Sequence, residues 1–133
     1  MKIGILAGEI PPPYFIHQLI CNIAKIGHKV FLYGSLKEEK FQYNNSSIFL
    51  RVKPTNKVGI FLSTILLIIK LIYTNGNSSF LLLSQIWRYE KSIGTFIKRC
   101  CTVLPPFLDD LDIFHIQWAK TLVQYNEYIK ELK

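Results

Sequence analysis

The first 34 residues restrict the fold more than any other stretch. Residues 2–7 form a short, almost wholly apolar run without polar alternation, closed by Gly8. Such a run suits a parallel strand covered on both faces. Pro11, Pro12 and Pro13 then hold the chain extended, because each proline fixes φ and biases the residue before it away from helix. Over residues 15–26, Ile16, Leu19, Ile20, Ile23 and Ile26 recur at three- and four-residue spacing. His17, Gln18, Asn22 and Lys25 fall opposite, which predicts an amphipathic helix that Gly27 ends. Residues 29–33 are a second apolar run, closed by Gly34. Strand, loop, helix and strand make a βαβ unit with a right-handed crossover. The fold class that follows is α/β: a Rossmann-like parallel sheet of about four strands with helices on both faces.

The rest of the chain extends this pattern. Residues 36–47 are polar and read as a loop, and residues 48–53 read as a third strand ended by Pro54. Residues 57–73 have helical length and are apolar nearly all round, apart from a narrow stripe of Asn56, Ser63 and Lys70. The uncharged run 58–69 has 12 residues, short of the ~20 that span a bilayer. This segment reads either as a buried helix or as a helix lying in a membrane interface. Residues 75–79 read as a turn, and 80–83 are compatible with the start of the next helix. Over 85–101, apolar residues fall at 86, 89, 93, 96, 97 and 100, with Arg88, Lys91, Lys98 and Arg99 off that stripe. This predicts one basic amphipathic helix, its charged face either solvated or against anionic lipid. Pro105 and Pro106 predict a break, and Asp109-Asp110 leads into a fourth strand over 112–119. Thr121 followed by Gln124 fits a capping box, which predicts a last helix over 122–132. A βα order next calls for a strand that the 133 residues do not contain, so residues 1–133 read as a single incomplete Rossmann-like domain.

Charge narrows the partners. Residues 57–108 hold Lys57, Lys70, Arg88, Lys91, Lys98 and Arg99 against Glu90 alone, and they are also the most apolar part. That pairing points to an anionic membrane surface more than to nucleic acid, for which no basic motif with interleaved aromatics is present. Cys21, Cys100 and Cys101 are odd in number and lack metal or redox spacing, so they read as thiols in a reducing compartment. The apolar start is too soon interrupted, by Gly8 and Glu9, for a signal peptide. The expected location is cytoplasmic, peripheral at the inner face of the plasma membrane.

No catalytic triad, P-loop, GxGxxG or metal cluster is present in the sequence, and no cofactor is expected. The candidates are therefore positional. If strands one and four are neighbours, their carboxyl ends bring Gly8, Glu9, Tyr14, His115, Gln117 and Trp118 into one neighbourhood, the edge where open α/β sheets bind ligands. His115 is either a hydrogen-bonded core residue or a group that binds a substrate hydroxyl or acts as a base near neutral pH. Gln117 could bond a sugar hydroxyl, and Trp118 either packs in the core or offers its ring to a sugar face. Glu9 is either a solvated charge or a base. Gly8 allows close backbone approach, and its N–H could meet a phosphate near the first helix. His17 and His28 read as surface or capping residues.

At these residues the chain resembles the N-terminal domain of family-4 glycosyltransferases, which have the two-domain GT-B fold. The similarity rests on Lys2-Ile-Gly-Ile-Leu6, the Gly8–Tyr14 segment with its prolines, Gly27-His28-Lys29-Val30, and Asp112-Ile-Phe-His-Ile-Gln-Trp118. Basic, apolar helices between the third and fourth strands add to it. The resemblance implies retaining transfer of a sugar from a nucleotide-sugar to a glycan or lipid-linked acceptor. It implies Gly8 near the donor phosphate and His115 near the reacting sugars. Many members carry a pair of glycines where this first loop has one. The resemblance also implies a C-terminal donor-binding domain, or a partner chain that supplies it, without which this chain is inactive. The alternative is a non-catalytic, membrane-associated subunit that recruits the catalytic half of a split glycosyltransferase.

Overall fold

A computed structural model describes residues 1–37 and 41–116. In chain order the elements are β1 (Lys2–Ile10), α1 (Tyr14–Lys25), β2 (Lys29–Leu36), β3 (Ile48–Val52), α2 (Lys57–Asn75), α3 (Ser78–Glu90), α4 (Ile93–Leu108) and β4 (Ile113–Ile116). They fall into two compact units. One comprises Met1–Lys53 and the segment that begins at Asp109; the other comprises Pro54–Leu108.

The first unit is the expected α/β layer. Its sheet has four strands in the order β3-β2-β1-β4, and every pairing is parallel. Side chains alternate across it. Ile3, Ile5, Val30, Leu32 and Ile48 point to the face covered by α1, where they form one core with Ile16, Ile20 and Ala24. Of the apolar stripe read from the sequence, Ile16 and Ile20 are buried and Ile23 is half-buried, whereas Leu19 and Ile26 are exposed; Ala24 completes the buried side of α1. The helix stops as predicted. Gly27 has φ +93, its N–H donates to the Ala24 carbonyl, and the His28 N–H reaches the Ile23 carbonyl. These are the paired bonds of a glycine-terminated Schellman cap.

Two strands outrun their expected ends. β1 does not stop at Gly8, and Gly8, Glu9 and Ile10 are strand residues paired with Gly34, Ser35 and Leu36. A register shift between Leu6 and Gly8 lets the ladder continue, and Gly8 at φ +77 takes a conformation that side-chain-bearing residues rarely adopt. Gly34 likewise sits inside β2, where an added Cβ would lie 3.1 Å from the Gly8 carbonyl oxygen. Gly8 thus supplies the conformation of the bulge, and Gly34 the space that keeps β1 and β2 close past it. The connection before α1 is then Pro11–Pro13, with the Ile10–Pro11 bond cis, and Tyr14 is the first helical residue.

The second unit is helical. Asn56 caps α2, its side chain accepting from the Gly59 N–H at 2.6 Å. α2 runs to Asn75, longer than its uncharged stretch suggests. The expected turn over 75–79 shrinks to Gly76 and Asn77, and residues 80–83 belong to α3. The single basic helix expected over 85–101 is instead two helices. Lys91, in the left-handed region at φ 51, ends α3, and α4 starts at Ile93. Glu90 bridges the break, accepting from the Arg99 Nε at 2.5 Å and, through its carbonyl, from the Thr95 hydroxyl. Pro105 and Pro106 do not break the chain: they lie in the last turns of α4, Pro106 buried. Proline's fixed φ near −65° is helical, so the turns persist without the ladder bonds that its missing N–H would have made.

The α2 helix is not the buried helix its composition allows. Thr64 and Leu71 are buried, yet Val58, Phe61, Leu62, Ile65, Leu66, Ile69, Ile72 and Tyr73 are exposed. Only 11% of its apolar window is buried.

Candidate functional site

β1 and β4 are neighbours, with Ile3, Gly4, Ile5 and Leu6 opposite Ile113, Phe114, His115 and Ile116. From β1 the chain winds outward through β2 to β3 on one side, and β4 joins on the other. The strand order therefore reverses between β1 and β4. In open α/β sheets the ligand crevice lies at the carboxyl ends of the strands that flank such a reversal. Here those ends are Leu6–Ile10 and Ile116, with the first turn of α1 following β1.

The sequence-derived candidates divide at this edge. Gly8 is exposed, and an added Cβ there would meet no atom within 4 Å. The space open beside it lies on the side a Cβ would take, while its backbone pairs with Gly34. Glu9 is exposed and its carboxylate accepts from Lys37 Nζ at 2.7 Å. That bond holds the Lys37 amine above its ordinary value. Both side chains are mostly solvated, so the pair contributes little to stability. Tyr14 is exposed, and its hydroxyl accepts from the Gln18 side-chain amide at 2.7 Å. His115 is exposed, beside Ile5 in the ladder, and by alternation it shares the sheet face that α1 covers. It is thus not a core histidine. Gln117 and Trp118 lie outside the described residues, as does the helix expected over 122–132. Of the proposed lipid-contacting cations, Arg88, Lys91 and Lys98 are exposed, whereas Arg99 is partly buried against Glu90. Among the described residues no group of three or more His, Cys, Asp or Glu could hold a metal ion.

Two clusters in the first unit had no sequence signal. On the sheet face opposite α1, Asp109 accepts from the Tyr33 hydroxyl at 2.7 Å and from Arg51 Nε and Nη2 at 2.8 Å each. Arg51 also lies over the Phe31 ring, 5.3 Å from its centroid. Burial, then the bond to Asp109, holds the Tyr33 hydroxyl well above its ordinary value. The same bond raises the Arg51 guanidinium. The residues come from separate strands, 58 and 76 positions from Asp109, so only the fold brings them together.

The other cluster corrects the reading of His17 as a surface residue. His17 Nδ1 lies 3.2 Å from the Tyr43 hydroxyl, the two rings stack at 5.2 Å, and Nε2 lies 3.7 Å from Cys21 Sγ. Burial pushes the Tyr43 hydroxyl up to about 12. Cys21 is half-buried, while Cys100 and Cys101 are buried, and burial pushes the Cys100 thiol up to about 12. Iodoacetamide at neutral pH is therefore expected to add one adduct per native chain, at Cys21, since the thiolate is the reacting form. Peptide mapping checks this; labelling of Cys100 at a comparable rate in the native protein would contradict the burial of α4.

No protein-family model, no curated protein and no solved structure matches the chain.

Proposed function

We propose that this chain is the acceptor-binding part of a retaining glycosyltransferase, which moves a sugar from a nucleotide-sugar to a glycan or lipid-linked acceptor. One observation carries the reading. The β3-β2-β1-β4 order reverses between β1 and β4, and three of the stretches that resemble the glycosyltransferase family begin in or join these strands: Lys2–Leu6, Gly8–Tyr14 and the segment that starts at Asp112. In this reading the backbone at Gly8, which is exposed and where an added Cβ would meet no atom within 4 Å, approaches the donor phosphate. The exposed His115 meets the acceptor hydroxyl or the reacting sugar, and Tyr14 and Glu9 line the acceptor; the roles expected of Gln117 and Trp118 fall outside the described residues. Donor recognition falls, in this reading, to the second domain that the resemblance implies, on the same product or on a partner chain.

Saturation-transfer NMR with free glycans and with polyprenyl-phosphate-linked sugars tests the acceptor site. Saturable binding is expected. His115→Ala should weaken it about tenfold, or ~1.4 kcal/mol, without lowering the thermal midpoint, because an exposed side chain carries little packing. An absence of binding by any such acceptor, or equal binding by His115→Ala, would remove the site.

A second reading is favoured by the exposed apolar side of α2: a non-catalytic, membrane-associated subunit that recruits the catalytic half. Sugar transfer by the chain joined with a nucleotide-sugar-binding domain, and its loss in His115→Ala, would separate the catalytic reading from this one.

A further inference from the structure

We infer that α2 docks in the plane of an anionic bilayer, half immersed, with one side in lipid and the other held by its own helical unit. The inference stands on α2 and its surroundings and is independent of the acceptor site.

The two sides of α2 are differently committed. Thr64 and Leu71 mark the inner side. The Thr64 hydroxyl donates to the carbonyl of Ile60, 2.8 Å away, and lies 3.0 Å from both the Ile97 carbonyl and Cys101 Sγ on α4. The Ser79 hydroxyl, from α3, donates to the Leu71 carbonyl at 2.8 Å. These bonds bind α2 along its length to its neighbours. The outer side carries Val58, Phe61, Leu62, Ile65, Leu66 and Ile69, all exposed. At ~100° per residue these fall, with Ile72 and Tyr73, inside an arc of about 140°. Lys57 and Lys70 lie about 40° beyond its two edges on the same count. A contiguous apolar stripe of this size on a surface marks an interaction site.

Charge identifies the occupant. The α2 helix has no acidic residue, and its stripe is edged by amines on both sides. In the whole of residues 54–108 the single carboxylate, Glu90, is taken by Arg99. Arg88, Lys91 and Lys98 remain exposed. Lysines at the edges of an apolar stripe bury their stems and raise their amines to headgroup level, and anionic headgroups attract them. Exposed Trp87 and Tyr89 on α3 are the aromatic types enriched at that level. At 19 residues α2 is long enough to cross a bilayer, but crossing would require its inner side to leave α4. Lying in the interface satisfies both sides at once.

Vesicle flotation of the full chain tests this. Binding to phosphatidylcholine vesicles containing phosphatidylglycerol is expected to exceed binding to phosphatidylcholine alone by at least ~tenfold and to fall with salt. Leu62→Glu with Leu66→Glu should cut it more than ~tenfold with the helical circular dichroism unchanged, because both residues are exposed. Lys57→Gln with Lys70→Gln should cut it about 25-fold, from ~fivefold per lysine. This second pair decides the matter if the glutamate pair misfolds. Alkaline carbonate should release the protein from expressing-cell membranes. Failure to bind, equal binding to both vesicle types, binding unaltered by the variants, or resistance to carbonate would each overturn the inference. So would a dimer in vesicle-free solution that Leu62→Glu with Leu66→Glu dissolves, which would assign the face to a second copy.

Discussion

Replacing Asp109 with alanine is expected to destabilise the protein by about 2–3 kcal/mol, from the loss of a bidentate, charge-assisted contact and the stranding of its partners. The Asp109 side chain is only 9% exposed and satisfies both Arg51 and Tyr33. Its removal leaves the Tyr33 hydroxyl, on a nearly buried ring, without an acceptor. Arg51 is 43% exposed, so water can solvate the abandoned guanidinium. The cost therefore stays below the 3–5 kcal/mol of breaking a wholly buried pair. Urea unfolding measures it. A double-mutant cycle with Arg51→Met should return a coupling of at least about 1 kcal/mol, since the two side chains are in contact. The tyrosine adds a pH signature. Its hydroxyl is held above the unfolded value of about 10. The stability it contributes is complete below that pH and is lost as pH rises beyond it. Tyr33→Phe should flatten the alkaline fall in stability. A change within ±0.5 kcal/mol for Asp109→Ala, the usual size of a surface substitution, would show the clasp to be unformed.

That clasp marks where the sequence stops being readable. Local signals sufficed where apolar runs are punctuated by Gly or Pro. The βαβ unit, the Gly27 cap and the all-parallel sheet each follow from a few adjacent residues. The Arg51–Asp109–Tyr33 contact needs three chain segments in register, and no pattern within a window contains that information. Two boundaries failed for a subtler reason. Gly8 and Gly34 read as stops, but Gly8 takes the positive φ of the bulge and Gly34 lets the two strands pass closely, so the ladder runs on to Ile10 and Leu36. The α3–α4 break carries no Gly or Pro at all, since Lys91 takes the left-handed conformation itself. The prolines that promised a break lie in a helix end that tolerates them. For α2 the composition was compatible with two environments, and which side is exposed depends on what α3 and α4 cover. Of the candidate site, the shared sheet edge was legible once β1 and β4 were assumed to be neighbours, and the adjacency itself comes from the fold. The hold of Lys37 on Glu9 and the exposure of His115 were not, because both depend on neighbours far along the chain.

Gly4→Val tests the adjacency on which the candidate site rests, and it should cost about 3 kcal/mol by overpacking. Gly4 has an ordinary strand conformation, so its need for glycine is spatial. A Cβ there would collide with Leu111 Cδ1 and would lie 2.8 Å from Phe114 Cδ2 and 3.2 Å from Tyr33 Cε2. Leu111 ends in a flexible group that can turn aside. The Phe114 ring is less free, because it packs edge-on to Tyr33 with centroids 5.8 Å apart. Backbone relief is also blocked, since β1 is paired on both sides, to Phe31 through β2 and to Phe114 through β4. The element that can yield is β4, which among the described residues pairs only with β1. Gly4→Val should therefore weaken acceptor binding as well as stability, and Leu111→Ala in the Gly4→Ala background should restore about 1 kcal/mol by removing the worst contact. Gly8→Ala offers the contrasting case. It meets no atom, and its cost of about 1–2 kcal/mol comes from the left-handed backbone alone, so no partner truncation should rescue it. If Gly4→Val unfolds at the wild-type urea midpoint, β4 does not pack on β1 through Phe114 and Leu111, and the strand reversal that locates the crevice is lost with it.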